Sequence, residues 1–340
     1  MKQADESKPR FLIIRPDRIG DVVLSTPFPR EIKSAFPDSF VAVMVRPYTE
    51  DIFLNNPHVD DIILYDDTDN LYFGLTKTLR AYNFDYAFML LPKEELNWVL
   101  FFSGIKHRIG GGHKFYQFMS NTKSVFRNNY DPLRHEADYC LDMLRKIGIY
   151  PSSLEPEIHL SEQEKAKAES NKKNLQDTEL KIVGINTTSG NSAPNWCVND
   201  YKILIEYLLK IPQIKVVVTD VDVPEELKNI EGVIYFNEDN SLRESIINFS
   251  TLDLLISAST GPMHIAAALK VKTLSLFTRE TACSPLLWGP LGNEAQILLP
   301  EESADMKYCF PNPKNYHFDG EGGITPERVL TKTVEMLNIS

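Results

Sequence analysis

The chain lacks long apolar runs, paired cysteines and an excess of bases, and each absence removes a class of protein. Its apolar stretches, such as Leu254 to Ile256 and Ile265 to Leu269, fall far short of the ~20 residues that a membrane-spanning helix needs. Met1 to Arg10 is polar and charged, with no apolar leader segment, so residues 1–10 read as a flexible tail on a cytoplasmic protein. The four cysteines, Cys140, Cys197, Cys283 and Cys309, have neither metal-site nor redox spacing, which suits a reducing compartment. A net charge of −11 argues against a general nucleic-acid binder, which needs a basic face. No G-x-G-x-x-G follows a predicted strand, so the dinucleotide fingerprint of a dehydrogenase is missing.

What the chain does contain is an alternation that occurs twice. Its 340 residues suit two domains of about 150 residues each. Short apolar runs predict strands at Phe11–Ile14, Phe40–Val45, Asp61–Tyr65, Tyr86–Leu91 and Lys106–Ile109. Helical patterns lie between them, over Phe28–Phe36, Thr49–Asn55, Leu71–Tyr82 and Glu94–Ser103. Gly110-Gly111-Gly112 reads as the start of a long loop, followed by a helix near His135–Ile147. Prolines and polar residues from Tyr150 to Glu179 predict a linker and a polar helix, Glu162 to Leu175, that leads a second domain. The pattern then restarts, with strands at Lys181–Ile185, Ile214–Thr219, Gly232–Phe236, Leu254–Ser257 and Thr273–Leu276. Alternation of this kind marks βαβ units and an α/β fold with a doubly wound sheet in each half. The expected domains are residues 11–160 and 161–325, with a closing helix over 326–340 that Thr325 caps ahead of Pro326.

Each half carries one junction of chemical interest. In the first, Arg15-Pro16-Asp17-Arg18-Ile19-Gly20-Asp21 sets Asp21 where the carboxyl end of a strand meets a helix start. Open α/β sheets bind ligands at such places. A carboxylate there is either a helix N-cap or a reactive group. In the second, Ser259-Thr260-Gly261-Pro262-Met263-His264 joins a buried strand to an alanine-rich helix. Small residues and free N–H groups at a helix start suit an anion, and equally a closely packed turn. From Lys106 to Arg134 the bases Lys106, Arg108, Lys114, Lys123, Arg127 and Arg134, with His107 and His113, face one acid, Asp131. That run is either a solvated loop or an anion-binding surface. Its aromatics Phe115, Tyr116 and Phe118 either fill a local core or stack on a ligand.

Five segments, in order, resemble glycosyltransferase family 9, the lipopolysaccharide heptosyltransferases. They are Arg15 to Pro27; Phe36-Pro37-Asp38 with Val45-Arg46-Pro47; His135-Glu136-Ala137-Asp138-Tyr139; Thr260-Gly261-Pro262-Met263-His264; and Cys283-Ser284-Pro285 with Trp288-Gly289-Pro290. The resemblance spans Phe11 to Leu337. It implies a GT-B fold of two Rossmann-like domains facing across a cleft, and a metal-independent, inverting transferase that uses no cofactor. The donor it implies is ADP-heptose and the acceptor an anionic glycolipid of the lipopolysaccharide inner core. The protein would be a cytoplasmic monomer that touches the inner membrane transiently. Asp21 would be the general base. Thr187, Thr188, Ser189, Ser259, Thr260, Gly261, Pro262, Met263 and His264 would hold the donor, and Arg18, Gly20, Lys114 and Arg127 the acceptor.

Three positions depart from the family pattern. Ser259 stands where many members have an acid, Pro194 where many have a base before the tryptophan, and Leu286-Leu287 where a base precedes Trp288-Gly289-Pro290. A leaving diphosphate gathers negative charge, and donors aimed at such charge are usually the largest catalytic contribution. With fewer bases, Lys202 supplies the charge, another nucleotide sugar is the donor, or the chain binds nucleotide sugars with weak or lost transfer.

Overall fold

The computed structural model describes residues 8–66, 71–127, 133–175, 180–190, 193–302 and 322–339. Of the residues named above, Met1 to Ser7, Asp131, Glu179 and Cys309 lie outside them. The chain divides into two compact units, residues 1–155 and 156–340.

The first unit is built on a six-stranded sheet of β1 (Arg10–Ile14), β2 (Phe40–Val45), β3 (Asp61–Leu64), β4 (Tyr86–Met89), β5 (His107–Gly111) and β6 (Lys123–Val125). Its order is β3-β2-β1-β4-β5-β6 and every pairing is parallel. Parallel strands are covered on both faces, which is why β1 and β2 read as unbroken apolar runs. Phe11 to Ile14 and Val41 to Val45 are buried accordingly. Leu12, Ile14, Met44 and Met89 form one core with Leu96, Val99 and Leu100 from the helix Glu94–Phe102.

The second unit repeats the plan with β7 (Lys181–Asn186), β8 (Ile214–Val218), β9 (Ile234–Tyr235), β10 (Leu254–Ala258), β11 (Lys272–Leu276) and β12 (Ala295–Leu298). Its order, β12-β11-β10-β7-β8-β9, is the same winding counted from β7, again all parallel. Gly184 in β7 is required by packing, since a Cβ there would lie 2.5 Å from Leu252 Cδ1. The closing helix, Pro326–Leu337, packs on Val198–Leu208, and the Trp196 indole donates to the Ile324 carbonyl at 2.7 Å. The polar helix Glu162–Leu175 is held by its charges: Glu164 pairs with Arg243 and Lys172 with Asp253.

Two expectations need correction. The triple glycine does not open a loop, because Gly110 and Gly111 continue β5 and pair with β4 and β6. The missing side chain of Gly110 makes room for Gln117, whose Nε2 would stand 2.8 Å from a Cβ there. The edge strands β6 and β12 and the short helices Phe115–Met119 and Pro285–Trp288 have no counterpart in the sequence reading. Among the described residues, no helix is long and apolar enough to cross a membrane.

Candidate active site

In each sheet the winding reverses direction at one place, between β1 and β4 and between β7 and β10. Ligands of open α/β sheets bind at the carboxyl ends of the strands beside such a switch point. Both candidate junctions leave the sheet there.

In the first unit the chain passes from β1 into Arg15, which is 3% exposed. Its guanidinium donates to the Leu90 carbonyl at the end of β4 (3.3 Å), to Asp21 Oδ1, and to Glu136 Oε1 at 3.5 Å. The following helix, Ile19–Val23, has Arg18 as its N-cap residue. Asp21 is therefore the third helical residue and not the cap, which removes the capping explanation for it. Its Oδ1 is taken by Arg15, and Oδ2 has no protein partner among the described residues. Burial pushes the Asp21 carboxyl up to about 6, against the pull of Arg15, with Asp17 and Glu136 adding to the rise. At neutral pH this is an ionised, oriented carboxylate that keeps 20% of its side-chain surface exposed, an arrangement suited to general base work. Neither Arg15 nor Glu136 was marked as a site residue from the sequence. The signal available was only that both lie in motif segments.

The basic run behaves differently from expectation. Arg127 binds Glu136 with both nitrogens, at 2.6 and 2.8 Å. Arg134 pairs with Asp138 and Asp142 on the helix Glu136–Arg145. Arg108 is buried and donates to the carbonyls of Ile105 and Ser120. The acids that neutralise this run thus lie just beyond it in sequence, and Arg127, expected on the acceptor side, is a partner of Glu136. Lys106, Lys114 and Lys123 remain exposed. Phe115 and Phe118 are 78% and 80% exposed and fill no core, whereas Tyr116 packs against the sheet core. Arg18 is exposed and Gly20 lies within the helix beside Asp21.

In the second unit the turn after β7 is organised by Asp220, a 2% exposed acid that follows β8. Its carboxylate accepts from Asn186 Nδ2 (2.9 Å), from the Thr187 amide and hydroxyl (2.8 and 2.9 Å), and from the Thr188 amide and hydroxyl (2.8 and 2.5 Å). The amides of Thr187 and Thr188, two residues expected to hold the donor, are thus already engaged. Ser189 is half-buried just past them. Asn195 donates to the Thr187 carbonyl and accepts from Tyr201, which fixes the far side of the same loop. After β10, Thr260 is the N-cap residue of the helix Gly261–Ala268, and its hydroxyl donates to Asn186 Oδ1 at 3.4 Å. The turns after β7 and β10 are thereby joined. Ser259, Gly261 and Pro262 are half-buried, while Met263 and His264 are buried in the first turns. Pro262 has no amide hydrogen, so the donors open to an anion at this helix start are those of Gly261 and Met263. One base was overlooked: Arg279, just beyond β11, is exposed and anchored by its Nε to the Pro300 carbonyl at 3.0 Å.

Residues 72–314 match the model of glycosyltransferase family 9 (heptosyltransferase). A presumed glycosyltransferase of Haemophilus influenzae is 25% identical over 302 residues, covering 84% of this chain and 86% of its own. Among solved structures, a family 9 glycosyl transferase of Veillonella parvula superposes with a TM-score of 0.79 at 21% identity, covering 98% of each chain. The Escherichia coli ADP-heptose lipopolysaccharide heptosyltransferase II superposes with a TM-score of 0.76 at 20% identity, covering 97% of this chain and 98% of that one. With the two parallel sheets and their flanking helices, these likenesses identify the α/β two-domain GT-B fold.

Proposed function

Because this chain belongs to glycosyltransferase family 9, the heptosyltransferases, we propose that it transfers a heptose from ADP-heptose to an anionic glycolipid of the lipopolysaccharide inner core. The observation that carries the mechanism is the Asp21 carboxylate, half-buried, oriented by Arg15 through one oxygen and open at the other. Asp21 takes the proton of the acceptor hydroxyl as that oxygen attacks the anomeric carbon. The bond from the anomeric carbon to the diphosphate oxygen breaks, ADP leaves, and the configuration inverts. The Gly261 and Met263 amides, at the positive end of their helix, receive the diphosphate charge. Thr188, Ser189 and Ser259 line the donor side, with Thr260 and His264 shaping it from within. Arg279 supplies a cation that the departures at Pro194 and Leu287 withhold. On the acceptor side Arg18 and Lys114 are the exposed bases beside exposed aromatics, and the acceptor's lipid brings the protein transiently to the inner membrane.

A second reading, a nucleotide-sugar-binding protein with weak transfer, is favoured by the engagement of the Thr187 and Thr188 amides with Asp220. One experiment separates the two. Calorimetry is expected to rank ADP above UDP, GDP and CMP, and ADP-heptose is expected to release ADP only when a heptose-free core glycolipid is added. ADP binding without acceptor-dependent release supports the second reading. A preference for another nucleotide refutes ADP-heptose as the donor.

A further inference from the structure

We propose that Glu136 and Arg127 are positioning residues that act on Asp21 through the shared guanidinium of Arg15. The inference rests on the reading of Asp21 as the base. It begins from an alternating row of charges, Asp21, Arg15, Glu136, Arg127, in which each neighbour is an ion pair. The two inner members are buried, with side chains 3% exposed, while Asp21 and Arg127 at the ends are 20% and 25% exposed.

The coupling has a specific origin. A single nitrogen of Arg15, Nη2, serves both Asp21 Oδ1 and Glu136 Oε1. Two carboxylates therefore share the two N–H groups of one nitrogen and the charge of one guanidinium, and the hold on Asp21 depends on how strongly Glu136 draws that guanidinium. Arg127 sets that demand by occupying both oxygens of Glu136. Glu136 itself cannot drift, because it is the first residue of the helix Glu136–Arg145, whose cap His135 accepts from the Ala137 amide. The other charged or titratable groups facing Asp21 are Asp17 and Arg18 on its own segment, Tyr48 from the turn Pro47–Ile52, and Cys140 on the helix of Glu136. Burial pushes the Cys140 thiol up to about 12, so it stays neutral and adds no charge to the row near pH 7.

The row makes two substitutions act in opposite directions. Glu136→Gln removes a repelling charge and leaves Asp21 and the more distant Asp17 as the carboxylates on Arg15, so Asp21 ionises at lower pH. Arg127→Gln strips Glu136 of its partner, draws Arg15 toward Glu136 and leaves Asp21 less stabilised, so Asp21 ionises at higher pH. A charge a few ångström away moves a carboxyl by about one pH unit or more, and about one unit each way is expected.

The test is a carbon-13 NMR titration of the full chain labelled at aspartate carboxyls, with the Asp21 signal identified by its loss in Asp21→Asn. The acidic limb of kcat/KM against pH is measured on the same samples. Expected are a fall of the midpoint in Glu136→Gln, a rise in Arg127→Gln, and a near-normal midpoint in Arg127→Lys, which keeps the charge. Unmoved midpoints, or midpoints that move the same way in both Gln variants, overturn the proposal and leave these residues a purely structural part. Should the Gln variants fail to fold, a displaced midpoint in Arg127→Lys overturns it as well. The two readings fail separately: opposite shifts with near-normal turnover in Asp21→Asn sink the base alone, whereas unmoved midpoints with an inactive Asp21→Asn sink the coupling alone.

Discussion

Asp21→Asn lowers kcat by about 10² to 10⁴-fold, the span contributed by a positioned general base, and leaves ADP affinity unchanged. Asparagine is nearly isosteric and its carbonyl oxygen still accepts from Arg15, so the buried guanidinium keeps its place between Asp21, Glu136 and the Leu90 carbonyl. What the amide cannot do is take a proton from the attacking hydroxyl. The groups proposed to face the nucleotide belong to the second unit and Asp21 to the first, so donor binding is the built-in control. Steady-state kinetics with ADP-heptose and a heptose-free core glycolipid measures the loss. A folded Asp21→Asn protein with near-normal kcat would remove Asp21 from the chemistry.

The largest expected effect on stability comes from Asp220→Ala. One carboxylate receives the donors of Asn186, Thr187 and Thr188, and the turn it organises is almost without solvent at Asn186 and Thr187. A buried donor left without an acceptor costs about 1–3 kcal/mol. Asp220 is itself a buried acid whose carboxyl burial pushes up, so removing it also relieves a desolvated charge. The net expectation is about 3 kcal/mol, read as a fall in Tm of about 6 to 12 °C for a unit of this size. The Thr188–Ser189 turn loses its shape with the acid, so ADP binding weakens by about tenfold or more, the equivalent of about 1.4 kcal/mol. Calorimetric melting and ADP titration of the same protein measure both quantities. An unchanged Tm with unchanged ADP affinity would show that Asp220 does not hold the turn.

Much of the fold was legible because parallel strands buried on both faces announce themselves as apolar runs. β1, β2, β7 and β10 have sequence counterparts within a residue or so, and so do the helices Leu71–Tyr82, Glu162–Leu175 and Pro326–Leu337. The two missed strands carry a weaker pattern. β6 (Lys-Ser-Val) and β12 (Ala-Gln-Ile-Leu) are short and mixed in polarity. Gly110 reads as a loop residue because its reason for being glycine is Gln117, a contact invisible in one dimension.

The candidate sites were legible as positions but not as networks. Asp21, Thr260 and the Thr187–Thr188 pair stand out because a strand ends and a helix or turn begins there. Their partners come from far along the chain: Glu136 lies 121 residues from Arg15, and Asp220 lies 33 from Thr187. The basic run misled for the converse reason. Counting charges between Lys106 and Arg134 stopped one residue short of the helix whose acids, Glu136, Asp138 and Asp142, take up Arg127 and Arg134.

The central claim is that Asp21, ionised and held by Arg15, is the base for transfer. The pH dependence of kcat/KM in wild type and in Asp21→Asn tests it most directly. Burial places the Asp21 carboxyl at about 6, above its ordinary value. The active, ionised form is therefore lost as the pH falls through that value, and wild-type kcat/KM should drop tenfold per unit below it. This limb is expected in wild type with a midpoint near 6 and is expected to be absent from the residual activity of Asp21→Asn. A limb that persists unchanged in Asp21→Asn would contradict it.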